Sequence, residues 1–135
     1  SFYSYVATVV EVSSVKDKIK VENIWTAIDC GLVLNKDNVK NQLEGAAIFG
    51  MSLAMFGKIT TKEGAVEQYN YNDYRMTRMK DAPNIEVTII DNMDTAPTGV
   101  GEPGVPVIAP AICNAIFNAT GNRVRSLPLA DSGLV

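Results

Sequence analysis

The sequence predicts an α+β fold in which two main helices pack on a mixed β-sheet, in the order β-β-α-β-β-β-α-β. Three observations predict it. Runs of β-branched and aromatic residues near the N-terminus and at residues 85–90 are typical of strands. Residues 36–56 and 107–120 repeat apolar side chains at the helical period. Paired strands with interspersed helices favour helices that cover one face of a mixed sheet.

Two antiparallel strands are predicted at the start of the chain, over residues 2–12 and 19–28. A polar turn at residues 13–18 separates them, and so short a connection favours antiparallel pairing. Apolar residues occur at odd and even positions of the first strand, so much of both its faces is expected to be buried. Asp29, Cys30 and Gly31 favour a turn and end the second strand.

The first helix is predicted to begin after Asn35, whose side chain can cap it, and to end near Gly57. Gly45 and Gly50 lie inside this helix, where each glycine costs roughly 0.5–1 kcal/mol relative to alanine. Two explanations stay open for these glycines, namely close packing on a sheet and room for a cofactor.

The second half of the chain is predicted to add a hairpin, a strand, a helix and a last strand. The hairpin turns at residues 62–64, the strand covers residues 85–90, and the helix over residues 107–120 ends at Gly121. Residues 69–84 show no clean period. Residues 124–129 are expected to return as a short final strand.

The composition indicates a globular protein of one domain. The chain has 135 residues, of which 47% are hydrophobic and 20% are charged. A formal net charge of -3 and the lack of a Lys/Arg cluster argue against nucleic acid as a partner. With no apolar run of transmembrane length, direct membrane insertion is not expected. Because the sequence starts with serine and is strand-like at once, residues 1–135 are expected to be a C-terminal fragment of a longer protein, whose compartment stays open.

Histidine is absent from the sequence, and cysteine occurs only at Cys30 and Cys113. A Ser-His-Asp triad, a Cys-His pair and a histidine-based zinc site are therefore excluded, and no protein metal site is predicted. Two cysteines also give neither a disulfide framework nor a CxxC metal pair, and both are expected to be structural. Proton transfer must depend on carboxylates, tyrosine, lysine or a cofactor.

Residues 99–106 are the strongest candidate for chemistry. This glycine loop reads GVGEPGVP, has Glu102 as its only carboxylate, and precedes the second predicted helix. Glycine lets the backbone approach a ligand closely, and a helix N-terminus provides unpaired N–H groups. The glycine loop therefore predicts an anion-binding cradle with one acid in its middle.

The glycine loop also matches the GxGxxG string of dinucleotide-binding proteins. That assignment requires a strand running directly into the glycines, whereas a loop separates Ile90 from Gly99 and Pro103 stiffens the motif. A Walker loop is excluded because no Lys-Ser or Lys-Thr follows. A tight turn before a helix, with Glu102 solvated, stays open as an explanation without function.

Four short sequence motifs follow one another along nearly the whole chain. They are AIDCG with Asn35, QLEG with Gly50, NDY at residues 72–74, and GVGEPG followed by IAPAICNAIFNATGNRVRSLPL. Together they resemble the C-terminal signature of the molybdenum hydroxylases, the xanthine dehydrogenase and aldehyde oxidase family. The GEPG form is most similar to large subunits of the isoquinoline 1-oxidoreductase and membrane-bound aldehyde dehydrogenase type. Lys36 and Asn72 depart from the pattern, which commonly has proline and histidine there.

The resemblance implies an oxidoreductase that hydroxylates an aldehyde or an N-heterocyclic carbon with water-derived oxygen, using a molybdopterin-type molybdenum cofactor. By this match Glu102 is the catalytic base, acting towards an oxygen on the metal. Gln42 would hydrogen-bond the cofactor, and the cofactor would also accept hydrogen bonds from the amides of Gly99, Val100 and Gly101. The small residues Gly101 and Gly104 would keep the space around the base free.

The resemblance also implies partners, namely the rest of a large subunit, an iron–sulfur small subunit or domain, and a small aromatic or aldehyde substrate. Two cysteines cannot build a four-thiolate cluster in this chain. We therefore expect the isolated chain to hold no molybdenum and to turn over nothing. The alternative is a non-catalytic module of the same fold that binds an anion or a partner through its glycine loop.

Overall fold

The computed structural model describes residues 3–135, and the predicted α+β class is confirmed. The elements are β1 (Tyr5–Val15), β2 (Lys18–Asp29), α1 (Lys36–Met55), β3 (Thr61–Lys62), β4 (Ala65–Val66), β5 (Asn84–Ile89) and α2 (Ile108–Thr120), with short 3-10 helices at Met79–Asp81 and Leu129–Ser132. One mixed sheet has the strand order β1-β2-β5, and β3 pairs with β4 in a separate small hairpin. Both main helices pack on the mixed sheet.

The strands β1 and β2 are antiparallel, as predicted, and a two-residue turn joins them. Lys16 and Asp17 in this turn have φ values of 52° and 62°, the left-handed conformation that the tightest hairpins require. On its other side β2 pairs in parallel with β5, so that Ile24 stands opposite Ile85. The strand β2 is therefore the centre of the sheet.

The helices cover only one face of the sheet. Ile24 and Ile28 of β2 are fully buried on that face, whereas Tyr5 and Val9 of β1 are 76% and 65% exposed on the other. The expectation that much of both faces of β1 is buried is therefore wrong within residues 3–135, because α1 and α2 lie on the same side. Phe2, which the sequence places in the first strand, lies outside the described residues.

Helix α1 begins where the sequence predicts. The backbone of Asn35 is extended, and its side-chain oxygen accepts a hydrogen bond of 3.0 Å from the backbone N–H of Asn38. The helix ends at Met55, just before the predicted stop at Gly57. Its inward face joins the core and consists of Val39, Leu43, Ala46, Ala47, Gly50, Met51, Ser52, Ala54 and Met55. No helix in the described part of the chain is long and apolar enough to cross a membrane.

Helix α2 matches its prediction, and the segment after it does not. The helix ends at Gly121, which has a φ of 73° and donates its N–H to the carbonyl of Phe117. The short strand expected over residues 124–129 is absent from the structure. Pro128 has no N–H for a strand ladder, and Leu129 instead enters the core at the start of a 3-10 helix.

Candidate active site around Glu102

The end of β2 positions the segment that leads into the glycine loop. The backbone N–H of Leu32 donates to the carbonyl of Thr95, and that of Thr98 donates to the carbonyl of Cys30. Gly31 has a φ of 71°, and a side chain there would collide with the carbonyl of Ala96. The turn that ends β2 thus fixes the entry to the glycine loop.

The first residue of the glycine loop is held by Ser4, the residue before β1. The hydroxyl of Ser4 donates to the carbonyl of Gly99 over 2.6 Å and lies 2.7 Å from the hydroxyl of Thr98. Within residues 3–135, the backbone N–H groups of Gly99, Val100 and Gly101 make no hydrogen bond to a protein acceptor. These three successive donors are available to an acceptor-rich ligand.

The glycine loop packs on α1 through a pair of glycines. A Cβ added at Gly104 would lie 2.8 Å from Cβ of Ala46 and 2.9 Å from Cδ1 of Leu43. In return, a Cβ added at Gly50 of α1 would lie 2.8 Å from Cβ of Ile108 and 3.0 Å from the carbonyl oxygen of Val105. Close packing therefore explains Gly50, although its neighbours are the glycine loop and α2 rather than the sheet.

The two glycines expected to clear space beside Glu102 differ. Gly101 is exposed, and a Cβ built on it would meet no atom within 4 Å. Gly104 is buried against α1. Only Gly101 therefore leaves room next to the carboxylate, and Gly104 serves to seat the loop.

Gln42 of α1 reaches the glycine loop directly. Its side-chain Nε2 donates a hydrogen bond of 2.8 Å to the carbonyl oxygen of Gly101, the residue before Glu102. Among residues 3–135 the amide oxygen of Gln42 has no hydrogen-bond donor, so it can accept a hydrogen bond from a ligand. The structure thus brings together Gln42 and Gly101, which are 59 positions apart in the sequence.

Glu102 lies at the rim of a pocket of about 500 Å³ between α1 and the glycine loop. The pocket is lined by Gln42, Gly45, Ala46, Phe49, Gly101, Glu102, Val105 and Pro106. A second concavity of about 430 Å³ shares Gln42 and Gly101 and adds Asn38, Val39, Asn41 and Val100. The hydrogen-bonded pair Gln42 and Gly101 therefore separates two concavities. One is lined by Glu102, and the other by Asn38 and Asn41.

The carboxylate of Glu102 is exposed and forms no ion pair among the described residues. In that part of the chain no group of three Asp, Glu or Cys side chains could hold a metal ion either. The donors at the site are backbone N–H groups and one amide. Such a set suits an organic cofactor rich in hydrogen-bond acceptors, which would bring its metal with it.

Comparison with known families decides what kind of domain this is. Residues 1–83 match the family described as the molybdopterin cofactor-binding domain. The chain belongs to this family. The resemblance seen in the sequence motifs is thereby confirmed.

Curated relatives of this molybdopterin cofactor-binding domain are far longer proteins. It is 38% identical to isoquinoline 1-oxidoreductase subunit beta of Brevundimonas diminuta over 93% of its own length and 16% of that protein. It is 35% identical to the membrane-bound aldehyde dehydrogenase [pyrroloquinoline-quinone] of Gluconacetobacter polyoxogenes, over 87% of this chain and 15% of that protein. The chain thus spans about a sixth of each of these two relatives.

A solved structure shares the fold. The aldehyde oxidoreductase from Desulfovibrio gigas superposes with a TM-score of 0.74 and 22% identity, covering 93% of this chain and 14% of that one. The superposition covers a larger share of the chain than the 83 residues of the family match.

The thiols of this molybdopterin cofactor-binding domain lie outside the pocket. Burial raises the pKa of Cys30, and the neighbouring Asp29 adds to the rise. Burial also raises the pKa of Cys113, against a smaller opposing effect of Arg123. Both thiols are therefore protonated and weakly nucleophilic at neutral pH, which supports their structural assignment.

Sequence reasoning missed Phe49 as a pocket residue. Its side chain is 50% exposed and lines the pocket that holds Glu102. A signal was present, because Phe49 is a large aromatic residue outside the apolar stripe of α1 and seven positions after Gln42. Two helical turns place such residues on one face.

Proposed function

We propose that this chain is part of the molybdopterin-binding catalytic domain of an oxidoreductase that hydroxylates an aldehyde or an N-heterocyclic carbon with oxygen from water. The observation that carries the proposal is the joint placement of Glu102 and Gln42 at one pocket, beside three unpaired backbone donors. The names of the curated relatives support the reaction class.

In this proposal the amides of Gly99, Val100 and Gly101, with the side chain of Gln42, hold the cofactor. When bound, such a cofactor would accept the two electrons and the hydrogen of the substrate C–H bond that breaks. Glu102 Oε takes the proton of the water-derived nucleophile as that oxygen attacks the carbon. Gly101 leaves the carboxylate accessible from the pocket.

The remaining requirements lie with partners. We infer that the rest of a large subunit completes the cofactor site and that an iron–sulfur subunit or domain removes the electrons. The described part of this chain holds neither a cluster of thiolates nor a metal-binding group of side chains. Relatives named as subunits, such as isoquinoline 1-oxidoreductase subunit beta, support an assembly of this kind.

The substitution Glu102→Gln in the full-length enzyme tests the function. The amide keeps the size of the side chain and loses its basicity, so turnover should fall by about 10²–10⁴-fold while molybdenum content stays unchanged. Glu67→Gln, an exposed carboxylate outside the pocket, is the matched control and should leave turnover as in the wild type. Wild-type turnover in Glu102→Gln would refute the role of Glu102.

A further inference from the structure

Phe49 is a large apolar side chain that the core does not use. Half of it is exposed, whereas the neighbouring inward residues Ala46 and Ala47 of α1 are buried. Its exposed surface faces the pocket that holds Glu102. Keeping an aromatic ring in water costs hydrophobic free energy, so a ligand that covers the ring would recover it.

Gly45 lies one helical turn before Phe49 and packs closely against none of the described residues. A Cβ added there would meet no atom within 4 Å, in contrast to Gly50. Gly45 and Phe49 line the same pocket, and no side-chain atom of Phe49 lies within 4 Å of the position that a Cβ of Gly45 would take. The missing side chain at Gly45 leaves space next to the ring, in the same pocket.

The other apolar members of this pocket are Ala46, Val105 and Pro106, and its polar groups are Gln42 and Glu102. A ring with a free face, an open position beside it and a polar end fits a flat molecule that carries a polar atom at its edge. An aliphatic chain of similar size would gain the burial but not the ring-to-ring contact.

We propose that Phe49 and the open side of Gly45 form the wall that selects planar aromatic substrates, an inference that rests on the proposed function. The ring of Phe49 stacks on or meets the edge of the substrate ring and orients the reacting carbon towards Glu102. Phe49 is therefore a specificity-determining residue, and Gly45 keeps its face accessible.

Kinetics of the full-length enzyme test the proposal with benzaldehyde and hexanal as the aromatic and aliphatic probes. Phe49→Leu keeps an apolar side chain and loses the ring, so KM for benzaldehyde should rise about three- to ten-fold, the range of one aromatic pair. KM for hexanal should change less than about twofold. Phe49→Tyr restores the ring and should restore the preference.

The matched control is Phe117→Leu, which removes a similarly exposed ring from α2, where it lies under the guanidinium of Arg123 and outside the pocket. It should leave both KM values unchanged. An equal benzaldehyde-to-hexanal ratio in wild type and Phe49→Leu would overturn the proposal.

Binding without turnover separates this inference from the proposed function. Saturation-transfer NMR with isoquinoline on the same proteins should show weaker binding in Phe49→Leu than in the wild type or Phe117→Leu. If the wild type oxidises neither the two aldehydes nor isoquinoline, the proposed function fails, and the comparison of isoquinoline binding still decides the role of Phe49. Equal isoquinoline binding in wild type and Phe49→Leu would overturn that role.

Discussion

Gln42 and Glu102 reach the same pocket from different elements, and the backbone of Gly101 links them. The hydrogen bond from Gln42 Nε2 fixes the carbonyl of Gly101, which precedes the carboxylate-bearing residue. An exposed hydrogen bond of this kind contributes about 1 kcal/mol or less to stability. The main effect of this hydrogen bond is therefore on geometry rather than on stability. By holding the backbone at Gly101, it positions the carboxylate of Glu102 and the adjacent N–H groups.

The substitution Gln42→Ala should distinguish a role in positioning the site from a role in stabilising the fold. We expect the free energy of unfolding to change by less than about 1 kcal/mol. Molybdenum content of the full-length enzyme should fall on the order of 10-fold, as is typical when a residue that orients a metal group is lost. Metal analysis and urea unfolding check both expectations, with Lys40→Ala on the exposed side of α1 as the control. Full molybdenum content in Gln42→Ala would contradict the assignment.

At the scale of elements, α1 is the platform of the site. Its Asn35 cap fixes where it begins, and its face towards the glycine loop carries Gln42, Gly45 and Phe49. Gly50 sits on the same helix and lets Ile108 of α2 approach closely. The close approach of α1 and α2 therefore depends on the absence of a side chain at Gly50.

Alanine substitutions at the two helical glycines should have opposite effects on stability. Gly50→Ala drives a methyl group into Ile108 and the carbonyl of Val105, so it should destabilise by about 1–3 kcal/mol despite the better helix propensity. Gly45→Ala meets open space and should stabilise by roughly 0.5–1 kcal/mol. Urea unfolding of the chain measures both. A Gly50→Ala midpoint equal to or above that of wild type would refute this packing account.

Local signals predicted the elements well, and long-range contacts could not be predicted from them. The cap at Asn35 and the stop at Gly121 depend on residues close in sequence, and both were predicted correctly. The parallel pairing of β2 with β5 joins strands far apart in sequence, and no local pattern reveals it. The final strand over residues 124–129 was predicted wrongly, because apolar residues there enter the core without a ladder.

The candidate site also combines features that the local sequence predicts with features that depend on long-range contacts. Glu102 and the glycines could be found from composition and resemblance, because their residue types are unusual in one short stretch. Which glycine packs and which stays open could not, since Gly104 and Gly101 differ only in what α1 places opposite them. Phe49 was missed because its role depends on its facing the pocket rather than on its spacing alone.

At the scale of the whole molecule, one face of the sheet is left uncovered by the elements of residues 3–135. Tyr5 and Val9 of β1 are mostly exposed there, and Trp25 of β2 is 38% exposed beside Val9. Large apolar side chains grouped on an exposed face are typical of a surface that another domain or subunit covers. Because the chain spans only about a sixth of its curated relatives, this face supports the proposal that residues 1–135 belong to a larger assembly.

The central claim is that this chain supplies one wall of a molybdenum-cofactor site, with Glu102 in it, and that the rest of the polypeptide supplies the remainder. Molybdenum per polypeptide, measured by mass spectrometry on the full-length protein and on the isolated chain, tests it most directly. The account predicts about one molybdenum atom per full-length polypeptide, the one-cofactor stoichiometry of such a site, and no stoichiometric molybdenum in the isolated chain. Stoichiometric molybdenum in the isolated chain, or none in the full-length protein, would contradict it.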